Sequence, residues 1–344
     1  MANFGDYHLV SGASWSVYWR ISQLHGSGLE IWFANFQGRR VMWRGSQPFA
    51  IVPYHRPIAG DPQPPHYTYK DGISPQWGGV EFTALKKGAP NTWASPAHNA
   101  IVDTDAVEVH VEPSGHFGPA HLTITAKFQC GWYQYVHSWE FDGDGNIHAR
   151  VAMGGQLNPN DPSKAHTHHM YFRVDLDIDG FSRDLFEEFE HQSFNDPGGD
   201  GWVTLGSQGK RLAAPNRARK WRVRDAASTS GLGAFRGYEI EIPQLVGRDN
   251  YSTGDIWATI YRGDSVQQGG EVGIAAPTDE VLQNNYCQGP LDIVNGNDVV
   301  FWVAIHAHHD PRHLAEEATF LPYHYAEFSI TPRGFEVFGR QREG

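Results

Sequence analysis

The stretch Ala165–Gly180, A-H-T-H-H-M-Y-F-R-V-D-L-D-I-D-G, constrains this chain most, because it reads as one β-strand that carries two ionic sites. Side chains at i and i+2 of a strand point to the same side. His166 and His168 therefore share a face with Met170, Phe172, Val174, Leu176 and Ile178, all apolar, while His169, Tyr171, Arg173, Asp175, Asp177 and Asp179 take the other face. Two imidazoles at the end of an apolar row suit a transition metal such as copper, zinc, iron or nickel. An Asp-x-Asp pair suits a hard cation such as calcium, which takes carboxylate and carbonyl oxygens. Taken alone, a His-x-His is at least as readily a pair of core histidines above surface aspartates.

A second stretch shifts that balance. In Asn297–His309, N-D-V-V-F-W-V-A-I-H-A-H-H, Asp298 stands eleven residues before His309, an odd separation that places the two on opposite faces. His166 and Asp175, nine apart, have the same parity. Two neighbouring strands of this kind supply three histidines to one face and three aspartates to the other. The parity selects His309 over His306 and His308, which share the face of Asp298.

The H-x-H, the R-V-D-L-D-I-D-G that follows it and the later N-D-V-V-F-W-V and H-H-D-P-R resemble the catalytic domain of the copper amine oxidases. The resemblance implies copper on His166, His168 and His309. It also implies a peripheral calcium on Asp175, Asp177 and Asp298 with the carbonyls of Leu176 and Val299. V-P-Y, a Pro-rich loop and a downstream Asp-Gly extend the likeness, and imply that Tyr54 is an active-site tyrosine and Asp71 the catalytic base. Asp-Gly is equally a common turn.

Gly131–Tyr135, G-W-Y-Q-Y, is similar to the family's G-N-Y-D/E-Y, whose first tyrosine becomes the topaquinone cofactor. By position that tyrosine is Tyr133. Here Trp132 replaces a small amide and Gln134 replaces an acid, which changes the space and the charge near the ring. The resemblance covers about Leu29 to Phe338. It implies one domain over residues 1–344, all-β, a large antiparallel β-sandwich with little helix, acting as a homodimer on a primary amine with dioxygen. The products would be an aldehyde, ammonia and hydrogen peroxide. The altered tyrosine motif leaves a second reading open: a copper enzyme on the same fold without topaquinone, acting on a non-amine, for instance aromatic, substrate.

Composition supports such a fold and narrows the rest. With 40% hydrophobic and 19% charged residues the chain is globular rather than disordered. Thirty-eight glycines and 21 prolines spread along it suit many turns between short strands. The net charge of −12, with no large basic region, argues against a nucleic-acid partner. No window approaches membrane-spanning length, and the start lacks a basic, then apolar, leader pattern, so a cytoplasmic location is expected. The two cysteines, Cys130 and Cys287, leave a single bridge open. No P-loop, Rossmann glycine pattern, G-x-S-x-G or H-E-x-x-H occurs.

Along the chain, Leu29–Phe33 and Arg40–Arg44 read as a hairpin through F-Q-G-R, with Phe49–Tyr54 as a further strand. His121–Phe128 and Gln129–Phe141 form another hairpin, and D-G-D-G-N turns the chain into a third strand. Residues 181–195 fit either a short helix or a strand. The basic run Arg217–Arg224 reads as a strand with Lys220, Arg222 and Arg224 on one face, solvated or in contact with an anion. Two short strands are expected within Phe320–Phe338 and a helix at Pro311–Ala318.

Overall fold

Alternating and fully apolar runs separated by tight turns fold nearly all of the described chain into strands. The structure, a computed structural model, describes residues 7–21, 28–54, 68–73, 75, 78–86, 103–115, 118–155, 158, 165–190, 201–213, 219–231, 233–242, 248–249, 251–261, 287, 298–309 and 321–335. Its strands are β1 (His8–Gly12), β2 (Trp15–Ile21), β3 (Leu29–Phe36), β4 (Arg39–Pro53), β5 (Thr68–Asp71), β6 (Thr83–Ala84), β7 (Val107–Glu112), β8 (His121–Cys130), β9 (Tyr133–Asp142) and β10 (Ile147–Gly155). They continue as β11 (His166–Asp175), β12 (Asp184–Glu190), β13 (Gly201–Thr204), β14 (Gly209–Arg211), β15 (Lys220–Thr229), β16 (Phe235–Glu241), β17 (Ile256–Ile260), β18 (Val299–His309) and β19 (Leu321–Arg333). One helical turn, α1 (Asp103–Ala106), precedes β7. The helix expected at Pro311–Ala318 lies outside the described residues.

Two antiparallel sheets result, as the all-β sandwich expectation required. The first runs β1-β2-β3-β4-β11-β18-β17-β14, with β5 also on β4. The second runs β13-β12-β15-β16-β19-β10-β9-β8-β6, with β7 also on β8. A shared core lies between them. Met170, Phe172 and Val174 of β11 pack there with Trp139 of β9 and Phe328 of β19. Burying a side chain of this size contributes roughly 1.5–3 kcal/mol. The first sheet is covered on its outer face too, where Phe49, Tyr171, Trp302 and Trp257 form a second cluster. Every residue of β11 is therefore buried, and the face that carries Arg173 and Asp175 is interior rather than solvated.

Several local expectations are revised. Arg40–Arg44 and all of Phe49–Tyr54 except its last residue are parts of one strand, β4, which follows a turn with positive φ at Gln37 and Gly38 (50° and 77°). That is the backbone hand a two-residue hairpin needs. The strand stays continuous past Pro48 because the ladder to β11 shifts register there, between the Tyr171–Phe49 and Arg173–Ser46 pairs, and a bulge absorbs the missing N–H. Phe320–Phe338 likewise holds one long strand, β19, because β10 pairs with it from Leu321 to Ile330 and β16 takes over from Ser329 to Arg333. β11 ends at Asp175, short of Ile178, and Asp179 turns the chain with a φ of 60°. Residues 184–190 are strand. The basic face of β15 is neutralised across the sheet: Arg222 and Arg224 both pair with Glu187, and Lys220 pairs with Glu239. Cys130 and Cys287 are separate buried thiols.

Candidate functional site

Tyr133 opens β9 directly after the turn Gly131–Trp132 and stands opposite Cys130 on β8 and Gly155 on β10. Gly155 has a φ of 104°, and a Cβ there would come within 2.7 Å of the Trp132 carbonyl and 3.1 Å of Tyr133 Cα. Only glycine allows the backbones this close. Because Tyr133 and Tyr135 share a face, both rings cross the core toward β11, where His166 and His168 share the facing side. The spacing matches: the Tyr133 hydroxyl lies 2.9 Å from His166 Nε2, and the Tyr135 hydroxyl 3.0 Å from His168 Nδ1.

Tyr54, just past β4, is bridged to His166 by backbone pairing and stacks on its ring at 4.5 Å. Its hydroxyl meets that of Tyr133 at 2.5 Å. Asp71 closes β5 opposite Ala50. Gly72 turns the chain with a φ of 81°, and a Cβ there would lie 2.6 Å from the Pro48 carbonyl. The Asp-Gly pair is thus a tight turn and also delivers a buried carboxylate. The Tyr135 hydroxyl donates to Asp71 Oδ2 at 2.5 Å. Burial raises the Asp71 pKa to about 7, although hydrogen bonds from Tyr135 and Cys130 pull it back. Burial also pushes the Tyr133 and Tyr135 phenols up, and neighbouring acidic groups add to the effect.

The register of β11 against β18 pairs His166 with His309 and His169 with His306. Directly opposed residues lie on one face, so the backbone sets His309 with His166 and His168, as parity required. The His309 side chain lies outside the described residues. Tyr135 lies against Nδ1 of His168, so Nε2 is the nitrogen with which this ring could hold a metal. An imidazole donor set with its other ring nitrogen held this way fits a copper ion.

The two departures in the tyrosine motif lie in different places. Gln134 points away from Tyr133 and bonds across the strand pair to Gln129 at 3.1 Å, so the missing acid does not face the ring. Trp132 sits in the turn itself, half-buried, edge-on to Tyr69 at 4.8 Å. A turn position gives the indole the room that a strand position would deny it.

The family model for the copper amine oxidase enzyme domain matches residues 118–340, which include Tyr133, Tyr135, His166, His168 and His309, whereas Tyr54 and Asp71 lie before the matched stretch. The chain belongs to the copper amine oxidase family. Copper-containing amine oxidase gamma 1 of Arabidopsis thaliana is 22% identical over 413 residues, covering 96% of this chain and 56% of that protein. The peroxisomal alpha 2 amine oxidase of the same plant is 25% identical over 252 residues, covering 67% of this chain and 35% of its own length. This chain thus spans roughly a third to just over half of these curated relatives. A copper-containing benzylamine oxidase from Hansenula polymorpha shares the fold with a TM-score of 0.73 at 17% identity, over 96% of this chain and 61% of that one. An Aspergillus nidulans amine oxidase does so with a TM-score of 0.66 at 17% identity, over 96% and 53%.

At the far end of the same two strands of this amine oxidase domain, carboxylate oxygens of Asp175, Asp177 and Asp298 lie within 4.8 Å of one another. Continuing the β11–β18 register brings Asp177 opposite Asp298. Arg173 donates to Asp175 at 2.9 Å. Burial and the neighbouring Asp175 charge raise the Asp177 pKa to about 7 and push Asp298 upward as well. The sequence reading missed a fourth acid, Asp184, fully buried at the start of β12, whose Oδ2 accepts from the Val299 amide at 3.4 Å. Burial and the charge of Asp298 push its pKa well up. Oδ1 of Asp177 and Oδ1 of Asp184 accept no hydrogen bond among the described residues. Crowded, buried carboxylate oxygens with the Leu176 and Val299 backbone beside them form a donor set that fits calcium. Asp184 stands alone in a segment of ambiguous period, and no sequence signal tied it to this site.

His169 and His306 form a further group on the outer face, with Nδ1 atoms 2.9 Å apart. His169 Nε2 lies 3.1 Å from Asp249, and His306 Nε2 lies 3.4 Å from Asp255, which Arg248 also holds at 2.7 Å. This chain of contacts clamps the segment before β17 under the outer face of the sheet, behind His166 and His168. The parity that excluded His306 from the copper face could have paired it with His169.

Proposed function

We propose that this chain oxidises primary amines to aldehydes with dioxygen, releasing ammonia and hydrogen peroxide. In this reading His166, His168 and His309 hold copper, and Tyr133 is the precursor of a topaquinone. The observation that supports it most is the Tyr133 hydroxyl at 2.9 Å from His166 Nε2, which puts an oxidisable phenol beside the metal ligands. When bound, copper and the quinone supply the redox chemistry.

The chain's own residues do the rest. Tyr54 hydrogen-bonds the oxygen of residue 133 and fixes the plane of its ring. Asp71 removes the proton from the amine-bearing carbon. Burial suits it to that task, because a carboxylate that titrates near 7 is basic enough to accept the proton and is still ionised in about half of the molecules at pH 7. The same burial keeps bulk water from competing for that proton. Calcium at Asp175, Asp177 and Asp298 is structural in this account.

The test is metal content together with amine-dependent peroxide release. Copper-loaded, aerated protein should produce peroxide from a primary amine. His309→Ala should lose both copper and peroxide, and His308→Ala should keep both. Copper retained in His309→Ala but lost in His308→Ala overturns the ligand assignment.

A further inference from the structure

We propose that Tyr135 is a positioning residue that links the base to the metal: it holds His168 in the tautomer that offers Nε2 to copper, and Asp71 sets the direction of that hydrogen bond. The proposal rests on the copper reading above. Tyr135 is fully buried, two residues beyond Tyr133 on the same face of β9. Its hydroxyl oxygen lies 2.5 Å from Asp71 Oδ2 and 3.0 Å from His168 Nδ1, so one atom touches both groups.

Proton counting gives the direction. A phenol has one hydrogen to donate, and the Asp71 carboxylate takes it. The same oxygen then faces His168 only as an acceptor, and Nδ1 must carry the ring hydrogen. A neutral imidazole protonated at Nδ1 has its lone pair on Nε2, which is the ligating atom. Partners of this kind fix the tautomer and ring orientation of a ligating histidine.

If Asp71 is removed, the hydroxyl has no carboxylate to serve and turns its hydrogen toward His168 Nδ1. The ring proton then moves to Nε2 and blocks the metal-facing nitrogen. Asp71 thus affects copper although it ligates nothing, and it does so only through the oxygen of Tyr135.

The experiment measures Cu(II) affinity of the whole chain by competition with a chelator, for wild type, Tyr135→Phe, Asp71→Ala and the double variant. Wild type should bind copper, and each single variant should bind about 10–100-fold more weakly. The double variant should be no weaker than the weaker single, because both changes break one chain of contacts. Asp71→Ala removes a carboxylate that burial disfavours, so it reads the link from the other end should Tyr135→Phe not fold. Wild-type affinity in Asp71→Ala, or losses that simply add in the double variant, overturns the proposal while leaving the copper reading intact. A wild-type chain that binds no copper overturns both.

Discussion

The hydroxyls of Tyr54 and Tyr133 meet at 2.5 Å, and Tyr133 in turn reaches His166, so three residues from distant parts of the sequence converge on the Tyr133 oxygen. If Tyr54 only orients residue 133, Tyr54→Phe should leave the modification of Tyr133 in place. Turnover should fall by about tenfold, the equivalent of one hydrogen bond of roughly 1.4 kcal/mol. Steady-state kinetics beside peptide mass analysis separates the two effects. An unmodified Tyr133 in this variant would give Tyr54 a part in forming the cofactor instead.

Asp71 is expected to trade stability for activity. Its folded pKa of about 7 lies above the ordinary 3.8, so the unfolded chain releases its proton first as pH rises. The fold therefore loses stability between those values, by at most about 1.4 kcal/mol per pH unit, and the full loss is present above about 7. Asp71→Asn should abolish amine turnover, yet melt at a higher temperature than wild type at pH 8 and at nearly the same temperature at pH 4. In wild type, kcat/KM should rise with pH through about 7 as the base ionises. A melting difference that does not depend on pH would contradict this account.

The acidic group at the other end of β11 and β18 gives a cation dependence of matching sign. Asp177, raised to about 7 by burial and the charge of Asp175, costs stability as pH rises from its ordinary 3.8 through 7. A bound divalent cation removes that cost. Added calcium should therefore raise the melting temperature more at pH 8 than at pH 5, and Asp184→Asn should shrink the shift. An equal shift at both pH values would place the calcium elsewhere.

His137 offers a check that does not touch the site. It is buried between Phe82 and Phe128, with ring centroids at 4.9 and 4.7 Å, and burial lowers its pKa from 6.5 to about 3. Below pH 6.5 the unfolded chain binds a proton that the folded chain refuses. Stability should therefore fall as pH drops from 6.5 toward 3, by at most about 1.4 kcal/mol per pH unit. His137→Phe should flatten that part of a urea-denaturation pH series, and an unchanged slope would assign it to other groups.

Which parts of the site could be read in advance follows from the range of each interaction. Period two is a local rule, so it placed His166 and His168 together, and parity chose His309 over His306 and His308 for the same face; that His309 stands across from His166 comes from the register of β11 on β18. The same arithmetic put the aspartates on the opposite face, and the family resemblance singled out Asp175, Asp177 and Asp298 among them. Tyr135 was invisible as a partner of Asp71 and His168, because that contact is made only when β9 of one sheet packs over β11 of the other. Asp184 reaches its group by the same kind of long-range approach. The cover over the outer face of β11 could not be read either, for a related reason: nothing local announces that Phe49, Trp257 and Trp302 pack on it. β4 and β19 were each divided because only the ladders to their neighbours, which carry each strand through, show that it is continuous.

The most direct test of the account is the mass of the Tyr133 peptide from copper-loaded, aerated protein, with and without phenylhydrazine. The account predicts a peptide that has gained two oxygens and lost two hydrogens, and that the hydrazine traps as an adduct. An unmodified Tyr133 peptide from protein with a full complement of copper would contradict it, and would leave a copper chemistry without a quinone, to be sought among non-amine substrates.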